Sequence, residues 1–230
     1  MTADPLLDGA CRLTRSGVIR ARGDDAASFL QGQLTNDVVS LGPTEARLAG
    51  FCSAKGRLQA SFIVWRPAAD EFCLACPADI LAAVLKRLSM FVLRAKCRLD
   101  DASGEIDLWG VVGAAAAARV GDARVWERRM ANTSSLVRLP DTAGLVRGLV
   151  ASPAGDAGAT AALPVLAAGA WHWLDVQSGI VTIEAATVDR FVPQMVNFEL
   201  VGGVDFKKGC YPGQEVVARS QYRGTTKRRT

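Results

Sequence analysis

The sequence predicts an α+β fold built from two successive α/β units, and three observations carry that prediction. The chain has 230 residues, half of them apolar, enough to form one large core or two small ones. Its apolar stretches are mostly of strand length, 4 to 8 residues, punctuated by helix-capping and turn residues. The order of these signals approximates β-α-β-β-α-β and occurs twice along the chain, the pattern of two ferredoxin-like units related by an internal repeat.

In the first unit, residues 18–21 alternate as a short strand, and Asp24 is placed to cap a helix reaching Leu30. Residues 46–52 and 58–65 read as strands joined at Ser53-Ala54-Lys55-Gly56, and 71–75 as a third. Pro77 suits the start of a helix running to Leu88 or Ser89, after which 91–99 returns as a strand. The second unit opens with a strand at 106–112 and an alanine-rich helix from Ala114. Strands follow near Leu136 and at 145–150. The Ala, Gly and Pro-rich stretch 151–170 reads as a linker or, fitting the second unit better, as a loosely formed crossover helix, and 171–176 as the closing strand. The domain reading is therefore 1–100 for the first unit, 101–200 for the second, and 201–230 for a terminal segment with its own motif.

Composition narrows the class. Charged residues are 22% of the chain, too few for a disordered polyampholyte beside so much apolar surface. No apolar run approaches the roughly 20 residues of a spanning helix, and residues 1–8 carry two acids and no base, unlike a signal peptide. The expected location is the cytoplasm, with the six cysteines as reduced thiols and the chain as a monomer. The net charge of +4 is concentrated at one end. Residues 205–230 hold seven bases and two acids, while the rest of the chain holds 20 bases and 21 acids. Such a segment reads as a solvated basic surface or as a site for an anionic ligand.

That segment also carries the strongest chemical signal. Gly202-Gly203 marks a tight turn, and Lys207-Lys208-Gly209 leads into Cys210. Pro212 can open a helix with Glu215 in its first turn. A cysteine just ahead of a helix N-terminus and beside two ammonium groups is placed to favour its thiolate. A lone cysteine is ordinarily a small core residue; this polar, glycine-lined setting points to a functional thiol.

Phe191-Val192-Pro193-Gln194, Asn197, Gly202-Gly203 and Phe206 through Glu215 resemble the signature region of YgfZ-type folate-binding proteins, relatives of the glycine-cleavage T protein. The likeness continues through Val217-Ala218-Arg219 and Arg223-Gly224. Upstream it includes Phe29 through Asp37 and Ala54-Lys55-Gly56-Arg57. It spans most of the chain, and the string Lys208-Gly209-Cys210-Tyr211-Pro212-Gly213-Gln214-Glu215 is its most specific part.

The resemblance implies the T-protein folate-binding fold. It implies tetrahydrofolate as ligand, and a role in maintaining iron-sulfur enzymes and, through them, in tRNA modification. It also implies a C-terminal β-barrel after the Arg-Gly-x-x-Lys-Arg stretch, which this sequence lacks, ending at Arg228-Arg229-Thr230. Trp171 matches a folate-site tryptophan whose indole can stack on a flat ring, and Gln177 falls where the transferase has a glutamate facing the pterin. Asn36, Asp37, Arg57, Lys208, Tyr211 and Arg219 complete the implied folate-site set, with Cys210 as the functional thiol. Lys207, Lys208 or Arg219 is expected to meet the anionic glutamate tail. One departure matters: Gln59 and Ala60 stand where the transferase keeps its acidic pair, and neither can act as a carboxylate. Folate binding without aminomethyl transfer is the expectation. The alternatives are a folate-dependent one-carbon transferase, or an RNA-binding module using the basic C-terminus, for which Tyr211 and Tyr222 are a thin stacking platform.

Other candidates weigh less. Cys73 and Cys76 have redox or metal spacing, yet three residues apart on a strand they face opposite sides. His172, the single histidine, lies between Trp171 and Trp173 and reads as a packing residue. Gly110, Gly113 and Gly121 lack the spacing of a dinucleotide fingerprint, and no metal site is expected.

Overall fold

The computed structural model describes residues 7–156 and 158–224. It contains two five-stranded antiparallel sheets with the same internal order. In the first unit β2 (Ser16–Arg22) leads through α1 (Ala26–Gln31) into a meander of β3 (Ala46–Cys52), β4 (Leu58–Ala68) and β5 (Glu71–Pro77). Helix α2 (Ala78–Ser89) then crosses over to β6 (Arg98–Asp101), giving the order β3-β4-β5-β2-β6. The second unit repeats this with β7 (Ile106–Val112), α3 (Gly113–Val120) and a meander of β8 (Arg128–Ala131), β9 (Ser134–Thr142) and β10 (Leu145–Pro153). Its fifth strand is β1 (Gly9–Arg12), which comes from the N-terminal side of the first unit and pairs with β7. The order is β8-β9-β10-β7-β1, the same as in the first sheet.

The pleat sorts each strand's side chains into two cores. On β2 and β5, Ile19, Phe72 and Leu74 turn outward to α1 and α2, meeting Phe29, Leu30, Ile80, Val84 and Leu88. Val18, Cys73 and Ala75 turn inward, where the two sheets pack face to face against Leu108, Leu139, Leu149 and Ala151. On the outer face of the second sheet, Val111, Leu136 and Val150 meet Ala116 and Val120 of α3. Cys73 and Cys76 accordingly belong to opposite faces, so this pair cannot chelate one ion.

Four local readings of the sequence are corrected. Residues 171–176 lie within α4 (Ala168–Ser178), not a strand. The Trp-His-Trp-Leu alternation imitates period two, but Trp171 and Leu174 are the buried pair, Trp173 and Val176 are exposed, and Gly179 closes the helix in the left-handed conformation. Among the described residues of 151–167 there is no crossover helix: β10 runs on to Pro153, and turns precede α4 at Ala168. Residues 91–97 form turns, with strand only from Arg98, so the apolar character of Phe91 and Leu93 reflects exposed side chains. Helix α1 starts one residue later than read. Asp25 is its N-cap position, and its carboxylate accepts from the Lys96 backbone N–H at 2.7 Å, tying the helix entry to the 91–97 turns. Strand β8, short and arginine-rich, had no sequence signal. Among the described residues no helix is long and apolar enough to cross a membrane.

Candidate functional site

Two neighbourhoods gather the chemistry. The first is a cavity of about 570 Å³ at the end of the sheet–sheet interface. Its wall is α4, through Trp171, His172, Asp175 and Val176; facing it are the 11–16 segment with Arg12 and Arg15, and residues 180–184. A smaller cavity of about 110 Å³ shares Trp171, Asp175, Ile180 and Thr182 with it and reaches inward to Arg147 of β10.

Local sequence explains how the wall is set. Trp171 lies flat on β7 because residue 110 is glycine: a Cβ there would collide with the indole ring. From the other side the Arg147 guanidinium stands 4.5 Å from the centroid of the Trp171 ring. Trp171 and Asp175, four apart on α4, share one helix face, and Arg147 donates to the Asp175 carboxylate. Burial pushes the Asp175 carboxyl up, with the Arg147 charge and hydrogen bond pulling it back. Arg147 is only 1% exposed, and among the described residues its Nε has no hydrogen-bond partner. A cavity of this size with an aromatic wall and an acid held by a buried guanidinium behind it fits a planar, hydrogen-bonding heterocycle.

The second neighbourhood joins the scattered motifs. Lys208 is buried and donates from Nζ to the carbonyls of Gln31 and Leu34, the latter at 2.6 Å, capping the end of α1. Burial lowers its pKa to about 8. Its ammonium sits 5.1 Å from the Tyr211 ring, and Tyr211 is itself buried with its phenol pushed up by desolvation. Asn36 donates to the carbonyls of Leu48 and Gly202, each at 2.7 Å. Thr35 donates to the Gly203 carbonyl at 2.6 Å. Asp37 bonds Ser40 and lies beside Arg47, and the Ser40 hydroxyl holds its carboxyl below the usual range. Arg57 donates to the Arg190 carbonyl at 2.6 Å. The turns at Gly56 (φ +69°) and Gly213 (φ +79°) pack back to back, with no room for a Cβ on either.

This knitting occupies several of the residues expected at the folate site. Lys208, Asn36 and Tyr211 hold the 29–37 and 202–213 segments together. None of Asn36, Asp37, Arg57, Lys208, Tyr211 and Arg219 lines the cavity beside α4. Gln177 is exposed on α4 and is not on the cavity wall either; Trp171 is, and Asp175 and Arg147, unmarked in the sequence reading, stand beside it. Cys210 is exposed, the only such thiol among six, while the helix behind it, α5 (Gln214–Tyr222), begins two residues later than Pro212. Gln59 donates to Asp189 at 2.8 Å and Ala60 is fully buried. Among the described residues no cluster of three or more His, Cys, Asp or Glu is placed to hold a metal.

The chain is 35% identical to the tRNA-modifying protein YgfZ of Edwardsiella ictaluri, over 91% of its own length and 66% of that protein's. It is 30% identical to the proteins of that name from Vibrio vulnificus and Colwellia psychrerythraea, covering 94% of itself and 67% and 68% of them. The chain belongs to the YgfZ family. It spans about two thirds of the length of these YgfZ relatives. Among solved structures, aminomethyltransferase T of the glycine cleavage system from Bartonella henselae superposes with a TM-score of 0.78 at 18% identity, over 95% of this chain and 64% of that one. The fold is therefore that of the glycine-cleavage T protein. No protein-family model matches the chain.

Proposed function

We propose that this chain is a tetrahydrofolate-binding accessory factor that works in the cytoplasm, as a monomer, to support iron-sulfur enzymes and through them tRNA modification. The observation that carries the reading is the Trp171–Asp175 wall of the 570 Å³ cavity, backed by Arg147 from the adjoining smaller cavity. The indole offers a stacking face for a pterin. The Asp175 carboxylate, in place of the expected Gln177, can accept from the amino and ring N–H edge of a pterin, and Arg147 holds it in line. Arg12 and Arg15, on the cavity lining, replace Lys208 and Arg219 as the cations for the glutamate tail. The tRNA link rests on the name its relatives carry, and the iron-sulfur link on the family resemblance together with the exposed Cys210 thiol.

Titration with tetrahydrofolate, followed by tryptophan fluorescence, tests the site. Trp171→Phe should keep the fold and weaken binding several-fold, and Trp171→Ala should weaken it at least tenfold. Unchanged affinity in Trp171→Ala would remove the ligand from this cavity. Aminomethyl transfer is not expected: the transferase's acidic positions hold an amide engaged with Asp189 and a buried methyl group. A glycine-cleavage half-reaction assay should give background rates, and turnover above background would reinstate the transferase reading.

A further inference from the structure

We infer that the tip formed by the end of α2 and the turns after it, residues 86–98, docks onto an anionic lipid bilayer. Between Asp79 and Asp100 the chain has no acid and five bases, Lys86, Arg87, Arg94, Lys96 and Arg98, all exposed. Only Lys96 has an ion-pair partner among the described residues, the highly exposed Asp24 at 3.6 Å. Within this ring of charge three large apolar side chains face solvent: Met90 at 67%, Phe91 at 43% and Leu93 at 87% exposure. Leu93 holds a left-handed backbone (φ +45°), which a residue with a branched side chain rarely adopts.

The tip is mounted firmly. Leu88 is fully buried, and Val92 and Cys97 pack on the outer core of the first sheet. The tip's backbone closes on itself: Phe91 N–H donates to Leu88 O at 3.0 Å, Val92 to Ser89 O at 3.3 Å and Ala95 to Val92 O at 2.8 Å. Few N–H groups are left to resist a low-dielectric boundary. Beside it opens a cavity of about 440 Å³ whose wall carries Lys86, Arg87 and Met90, together with Asp79, which accepts from the Ala185 N–H.

The charge requires an anionic partner, and the apolar side chains select among such partners. RNA rewards stacking rings, and Phe91 is the only ring here; Met90 and Leu93 gain little from bases or phosphates. A protein groove is typically filled by a helix face or an extended strand, and this tip is a set of turns. A bilayer boundary accepts three apolar side chains in the acyl–headgroup zone and five cations at the phosphates with no demand on regular structure.

The test is co-sedimentation of this 230-residue chain with vesicles of phosphatidylethanolamine and phosphatidylglycerol, against pure phosphatidylcholine. Saturable binding to the anionic vesicles only is expected, weakening as salt rises. Phe91→Ser/Leu93→Ser and Lys86→Glu/Arg87→Glu should each lower it at least tenfold. All four positions are exposed, so circular dichroism should stay that of the parent. Absence of binding to anionic vesicles at 0.1 M salt overturns the proposal, as does undiminished binding in both variants. Binding of bulk tRNA that is lost in the charge variant, with no vesicle binding, also overturns it and assigns the tip to RNA. No folate enters these measurements, so their outcome is separate from that of the cavity.

Discussion

Treatment of the native chain with iodoacetamide at pH 7.5 is expected to modify Cys210 at least a hundredfold faster than any other cysteine. Selectivity here comes from the other five thiols. Cys11 and Cys97 are pushed by burial from the ordinary 9.0 up to about 11, and Cys52, Cys73 and Cys76 up to about 12. The thiolate is the nucleophile, so these shifts alone lower the reactive fraction about 100- to 1,000-fold, and steric cover adds to that. Cys210 is exposed. Lys208, one of the two ammonium groups expected to activate it, is turned inward onto the Gln31 and Leu34 carbonyls. The selectivity therefore comes from the burial of the other five thiols, not from activation of Cys210 by Lys208. Mass spectrometry of the alkylated peptides gives the answer, and early labelling of Cys73 or Cys76 would mean that the first sheet opens locally. The same shifts set an alkaline limit. Each buried thiol keeps its proton longer in the folded state than in the unfolded one. Stability should therefore fall as pH rises from about 9 to about 12, and the other five thiols should become reactive together as the chain unfolds. Cys210→Ser should leave that transition unmoved while impairing iron-sulfur enzymes in cells.

The repeat was legible because two strand–helix–meander series leave period-two and capping signals that do not depend on context. The residues that form the cavity wall were legible only in part. Trp171 was marked by resemblance, and Gln177 was named beside it by the same resemblance while 171–176 read as a strand. On a strand Trp171 and Gln177 share a face; on a helix the residue that shares Trp171's face is four along, Asp175. On the helix Asp175 stays on Trp171's face, while Gln177 turns to an exposed position. The helical alternative had a signal, since Gly179 two residues after Gln177 suits a left-handed C-cap. Arg147 could not be found this way. It sits among apolar neighbours on β10, and what makes it chemical is the approach of α4, a contact between segments 28 residues apart. The motifs at 29–37, 54–57 and 202–213 were legible as motifs, but sequence gave no means of separating backbone knitting from ligand contact. Asn36 and Lys208 satisfy buried carbonyls that would otherwise lack donors, a role invisible until the segments are side by side.

Asp175→Ala is expected to cost more stability than Arg147→Met, though the two remove opposite ends of one ion pair. The asymmetry follows from where each group looks. Arg147 is 1% exposed; among the described residues its Nε is already unpartnered, and apart from Asp175 its side-chain partners are the Thr142 hydroxyl at 3.3 Å and the Trp171 ring. Removing the carboxylate strands a guanidinium in the core, a loss of about 3–5 kcal/mol. The Asp175 side chain keeps 37% of its surface, and it lines the cavity, so water can reach it when no ligand is present. Removing Arg147 and filling its volume with methionine should cost only about 1–2 kcal/mol at neutral pH, because the acid can be hydrated or can take up a proton. Burial already raises this carboxyl and Arg147 is the chief group lowering it, so in Arg147→Met it should rise further. The folded state would then hold the proton more tightly than the unfolded one. Stability would be highest below about pH 4 with respect to this group and would fall as pH climbs through the raised value. Urea unfolding at pH 5 and pH 7.5 reads both effects. The double variant Arg147→Met/Asp175→Leu should recover to within about 1 kcal/mol of the parent, since an apolar pair often replaces a buried ion pair without loss, while tetrahydrofolate affinity stays lost. That combination, stability regained and binding not, would mark the pair as kept for a ligand. If Asp175→Ala were as stable as the parent and bound folate as well, the polar end of the cavity would have no role in either.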